Sequence, residues 1–191
     1  MKTRSWIRRT LTVCAISILA MPLLPAASLA DEVPLKIKWA GSFRDTPWDF
    51  VGPDGLYADV IDAQGHGSFG PSLIHILTEF MDATPPPEHE FCTQPWNRYL
   101  VIAHSHGVTT FKNGDQLLFY INPGDGWMCL DFSDNSYTGH TSGYYDGGTG
   151  RFENASGTFE TPFDGTNMTA IKFGIGFGSI YGLITGNVVL Q

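Results

Sequence analysis

From Tyr57 to Leu190 the chain is a succession of short extended runs parted by turn residues, and this spacing most limits what it can fold into. The runs are Tyr57–Phe69, Ser72–Met81, Arg98–Lys112, Gln116–Asn122, Trp127–Phe132, Tyr137–Asp146, Gly157–Phe163, Met168–Phe177 and Ser179–Leu190. Gly70-Pro71, Asn113-Gly114, Ser133-Asp134-Asn135-Ser136 and Gly147-Gly148-Thr149-Gly150 punctuate them, and each is turn chemistry with a mechanism. No segment carries a convincing 3.6-residue apolar stripe. Leu73–Met81 comes nearest, yet its β-branched residues and its place between strands favour extension. Regularly spaced strands of this kind imply an all-β sandwich or barrel. The longest connection, Asp82–Asn97, holds Pro85-Pro86-Pro87 and favours polyproline geometry there.

Four blocks carry a resemblance. Gly147–Phe159 is a glycine-rich corner feeding a strand, and it is similar to the GGTGRFxxAxGxx signature of secreted bacterial relatives of the allene oxide cyclase and dirigent barrels. Phe111-Lys112-Asn113-Gly114-Asp115-Gln116-Leu117 resembles that family's xNGDxL hairpin. Gly65–Gly70 and Ser179–Gly182 resemble its early strand turn and its closing strand. The resemblance covers about residues 57 to 190. It implies a closed antiparallel β-barrel of about eight strands, with residues 57–191 as the barrel domain. Plant members cyclise an epoxide or steer phenoxy radical coupling inside such a barrel. The matching blocks are turns, so no catalytic residue carries over.

Residues 1–30 read as a cleaved signal peptide. Lys2, Arg4, Arg8 and Arg9 form a basic start, Leu11–Leu24 an apolar stretch, and Ser28-Leu29-Ala30 a small-x-small cleavage site. The apolar stretch falls short of the ~20 residues of a membrane-spanning helix, and no later run approaches that length. The mature chain is therefore expected to be secreted or periplasmic, with no membrane span. It retains seven bases against all nineteen acids, a net charge of −12, which argues against nucleic acid as a partner. Residues 31–56 read as an N-terminal extension, with Leu35–Trp39 as one short strand, packed across the barrel or along an edge. Cys92 and Cys129 are the mature cysteines. A disulfide between them suits an oxidising compartment, and two buried small hydrophobes are the other reading.

The candidate chemistry lies on two strands. A two-residue Asn113-Gly114 hairpin would pair Lys112 with Asp115 and set Val108 against Phe119. Leu100, Ile102, His104, His106 and Val108 would then share one face, opposite the apolar Leu117, Phe119 and Ile121. That face is the expected barrel interior, with His104, His106 and Phe119 turned toward a ligand. On the preceding run His75 and Glu79 alternate with Leu73, Leu77 and Met81, and they are expected to join the site as general acid–base groups. The opposite face, Ser72-Ile74-Ile76-Thr78-Phe80, is equally apolar, so either can point inward. His-x-His also suits a metal. However, no Glu follows within Val108–Phe111, and a third ligand would have to come from His66, His75 or His140. No metal and no cofactor are expected. Gly174-Ile175-Gly176-Phe177-Gly178 lacks the lysine and helix of a phosphate loop, and its glycines read as a bare strand face for a bulky neighbour.

The expected function is binding of a small apolar molecule inside the barrel, by a monomer or a homo-oligomer. The alternatives are a cofactor-free cyclase or isomerase, and a structural or adhesion protein of the cell envelope.

Overall fold

The computed structural model describes residues 30–46, 57–86, 89, 92–172 and 175–191. The signal-peptide reading, except Ala30, lies outside these residues, as do Trp48, the Gly52–Gly55 turn, Pro87 and Gly174. Nine strands follow in order: β1 Asp31–Thr46, β2 Tyr57–Gly67, β3 Gly70–Asp82, β4 Asn97–Phe111, β5 Gln116–Ile121, β6 Gly126–Asp131, β7 Ser136–Gly148, β8 Ser156–Lys172 and β9 Ile175–Leu190.

Each strand pairs antiparallel with its successor in the chain, except where β5 and β6 share one place. β5 pairs with Ser105–Thr110 of β4, while β6 pairs with Asn97–Val101 of the same strand. Both also pair with β7. They form a single stave interrupted at Asn122–Asp125, where Gly124 takes a positive φ of 85°. β9 returns to β1, with Asp31 opposite Leu190 and Arg44 opposite Phe177. The result is a closed antiparallel barrel of eight staves in simple up-and-down order. Closure leaves no unpaired sheet edge.

β1 is a full stave between the first and last strands of the remainder, although its residues read as an extension in the sequence. Leu35, Ile37, Trp39 and Phe43 are buried and alternate with exposed Lys36, Lys38, Ala40, Ser42 and Arg44. That period of two belongs to a strand with one face on a core. Gly178 and Gly182 of β9 make room for the rings of Phe43 and Trp39, so the bare glycine face serves packing.

One barrel end is plugged by aromatic rings. Phe69, Phe111 and Phe152 meet with centroids 5.1 to 5.6 Å apart, and Phe152 is fully buried. The glycine-rich corner delivers this plug. Gly150 sits at φ 61°, and a Cβ there would strike the Asp115 carboxylate. The next residue, Arg151, lies 5.1, 5.7 and 5.2 Å over the three rings and donates to Asp115 at 2.8 Å. Asp115 is held below the usual carboxylate range, first by the Asn113 side chain and then by Arg151. Loss of the ring contacts in Arg151→Ala is expected to cost about 1 kcal/mol. Urea denaturation would check this, with Arg151→Lys recovering part of the loss; an unchanged midpoint would show that the plug stands without its cation.

The loop from β3 to β4 is pinned to the outside of the barrel. Cys92 is disulfide-bonded to Cys129 of β6, with Cα atoms 5.8 Å apart. His89 packs on Tyr99 and Trp127, at 5.3 and 4.5 Å between centroids. Tyr99 lies beneath this loop with Cys92 and Cys129.

Candidate functional site

Two local irregularities decide which side chains face the lumen. At Asn113-Gly114, the Phe111 N–H donates to the Asp115 carbonyl at 2.9 Å, and the Gly114 N–H donates to the Phe111 carbonyl at 2.9 Å. With Gly114 at φ 90°, the loop is one residue longer than a two-residue hairpin. Thr109 therefore faces Leu117, and Gly107 faces Phe119. A one-residue slip turns every side chain to the opposite face. Further along, Glu79 pairs with His104 but Phe80 pairs with Ile102, which leaves Ala103 as a bulge. The bulge switches parity within β4. Leu100 and Ile102 point inward before it; Ser105, Thr109 and Phe111 are the buried set after it.

The sequence-derived site residues accordingly separate. Phe119 lines the lumen. His104 and His106 are exposed on the outer surface, and His106 lies beside Tyr120 there. On β3 the inward set is Ser72, Ile74, Thr78 and Phe80, with Ile76. His75 therefore points out, 59 % exposed, and bonds Asp62 at 2.6 Å. Glu79 is buried at 2 % exposure, but it has the outward parity, between Ala58 and His104. The structure thus brings one of the five to the cavity. Among the described residues, no three His, Cys, Asp or Glu side chains converge as metal ligands.

The lumen holds a cavity of about 380 Å³. Its wall is largely aliphatic and aromatic, with Trp39, Phe43, Ile61, Phe119, Phe159 and Phe163 prominent. It lies toward the end opposite the aromatic plug, where Arg98, Phe132, Tyr137 and Met168 border it. The volume is within the ordinary range for small-molecule sites.

Two acidic residues stand in this apolar wall. Asp45, the last inward position of β1, is directly opposite Asp59 of β2, and both line the cavity. Asp59 is 4 % exposed. Its carboxyl is pushed well above the usual range by burial, then by its hydrogen bond with Asp45 and by that neighbour's charge. The last of these causes is general: neighbouring like charges resist joint ionisation. Gly176 of β9 supplies the space for Asp45, since a Cβ at 176 would lie 2.7 Å from its Oδ2.

Two of the nearby donor groups are engaged. Tyr137, raised in pKa by burial and then by Asp59, donates its hydroxyl to the Ser179 carbonyl at 2.9 Å. Arg98 is held by Asp82 through two bonds of 2.6 and 2.7 Å. Asp59 Oδ1 has no hydrogen-bond partner among the described residues, nor do Trp39 Nε1 and Thr161 Oγ1 on the same cavity wall. Buried polar atoms seldom go unpaired.

Sequence reasoning passed over this carboxyl pair, though a signal existed. Asp59 shares parity with Ile61 and Ala63, and Asp45 with Leu35, Ile37, Trp39 and Phe43. A carboxylate continuing an apolar face is the mark of a buried acid.

Fold and cavity define a class: a closed eight-stave antiparallel barrel with an apolar lumen and an acidic pair near one end. Compared with models of known protein families and with curated protein sequences, the chain matches none. No helix among the described residues is long and apolar enough to cross a membrane.

Proposed function

We propose that this protein binds a small apolar molecule in its lumen. The observation that carries the reading is the cavity of about 380 Å³ walled by aromatic and aliphatic side chains. A structural barrel needs no such space, because side chains alone fill an eight-stave interior. The outer face carries exposed Lys36, Lys38, Asp62, Gln64 and Glu160 among scattered apolar side chains such as Leu73 and Phe177, unlike the continuous apolar band of a barrel whose outer wall faces lipid. Export to an oxidising compartment belongs to the same reading, supported by the basic-then-apolar start of the chain and by the Cys92–Cys129 bond. Membership of the allene oxide cyclase and dirigent superfamily is likewise part of it, resting on the Gly147–Phe159 corner, which in the fold carries the Arg151 plug.

A second reading, a cofactor-free cyclase or isomerase, is favoured by the Asp45–Asp59 pair. A carboxyl kept protonated by burial is a general acid at higher pH than an exposed one.

The neutral apolar dye N-phenyl-1-naphthylamine is expected to bind the purified protein saturably at one per chain, quenching Trp39 by energy transfer. Trp39→Phe should remove the quenching and keep the binding. Absence of saturable binding to the folded protein would overturn the reading, and native mass spectrometry of the untreated protein would show any ligand it already carries.

A further inference from the structure

We infer that the ligand of the lumen bears a basic nitrogen, and that its ammonium group is held between Asp45 and Asp59 with the apolar body in the cavity. The inference rests on the lumen being a binding site at all. Two carboxyl groups present four oxygens. The neighbouring donors, Tyr137 and Arg98, are turned to the Ser179 carbonyl and to Asp82. Asp59 Oδ1 is buried, borders the cavity and is unpartnered among the described residues. The ionised pair offers acceptors alone, while Trp39 Nε1 and Thr161 Oγ1 are unpartnered donors elsewhere among the lining residues. An alkyl ammonium brings three N–H donors and a positive charge, whereas a hydroxyl brings one donor and a carboxylate none. Charge points the same way. The chain carries a net charge of −8, so its field gathers cations and repels anions.

Proton bookkeeping follows from the arrangement. An amine arriving as R–NH₃⁺ meets Asp59, whose buried carboxyl favours its protonated form. That proton leaves to solvent as Asp59 ionises against the incoming charge. A neutral R–NH₂ takes the Asp59 proton itself and becomes R–NH₃⁺. No bond to carbon changes in either case.

The test uses three probes of equal chain length: dodecylamine, dodecanol and dodecanoate. Each is titrated calorimetrically into the full protein below its micelle concentration. The amine is expected to bind about 10- to 100-fold more tightly than the alcohol, as suits hydrogen bonds to charged groups, and the carboxylate weakest. Amine binding should also release a proton, seen as a heat that changes with the ionisation enthalpy of the buffer. Asp59→Asn and Asp45→Asn, both isosteric, should each remove most of the amine's advantage and leave dodecanol binding intact. Equal affinity for amine and alcohol, or an amine preference that survives both substitutions, would overturn the inference while leaving the lumen a binding site. Failure of all three probes together with the neutral dye would instead remove the reading beneath it.

Discussion

Replacing both Cys92 and Cys129 by serine is expected to lower the unfolding free energy by about 2–4 kcal/mol. The bond spans 37 residues, and closing a loop of that length removes about 4 kcal/mol of chain entropy from the unfolded state. Little else replaces it. Among the described residues, the loop it holds contains Pro85 and Pro86 and covers Tyr99, Val101, Trp127 and Cys129 on the outer face of β4 and β6. The lumen is built from the opposite faces of those strands, through Leu100, Ile102, Met128 and Leu130. Thermal unfolding of the double variant should therefore show a large fall in midpoint with dye binding retained at low temperature. The same shift should follow from adding reductant to the wild type. A midpoint within a degree of the original would mean that His89 on Tyr99 and Trp127 suffices to hold the loop.

Asp59→Asn is expected to act in the other direction and stabilise the ligand-free protein by about 1–2 kcal/mol at mildly alkaline pH. Ionised Asp59 is a buried charge in an apolar wall whose one lining cation among the described residues, Arg98, is held by Asp82, and such groups are costly. Its folded pKa lies above the ordinary carboxylate range. The associated stability is therefore complete at pH below that range and is lost as pH rises through the elevated folded value. The wild type should weaken on that rise, and the variant should not. Charged and titratable groups around Asp59 are Asp45 on β1, Arg98 on β4 and Tyr137 on β7, all present in both proteins. Asp82, held low by Arg98, has the opposite sign, its stability being lost as pH falls. Subtracting the two pH–stability curves isolates Asp59. For a chain of this size each kcal/mol moves the melting midpoint by about 2–4 °C. If the variant is less stable than the wild type at every pH, Asp59 serves the fold and not a ligand. If it is more stable and has lost its preference for an amine, the residue is kept for binding at the expense of stability.

How much was legible in the sequence divides along physical lines. The all-β class and most strand positions followed from turn residues and alternation, because both are local. The resemblance supplied closure, which is not local. Phe119 was placed inward correctly, since Leu117, Phe119 and Ile121 form an unbroken apolar face. His104 and His106 were placed wrongly relative to the lumen by two single-residue effects: the longer loop at Gly114 and the bulge at Ala103. Neither leaves a mark in composition, and each reverses the faces of the residues beyond it. On β3 both faces are apolar, and only pairing with β4 selects Ile74 and Phe80. Asp45 and Asp59 could have been found by continuing the β1 and β2 alternations to their ends. Treating the first segment as separate from the barrel hid them.

The seam between β1 and β9 has a consequence for timing. It joins residues more than a hundred positions apart, and nothing in the chain between them can stand in for the missing stave. Until the last strand is available, Trp39 and Phe43 have no glycine wall to lie against, and the hydrophobic interior stays open along its length. Folding of such a meander is governed by its slowest, most distant encounter. A nascent chain would thus remain pliable, with its interior exposed to chaperones, throughout most of its own synthesis.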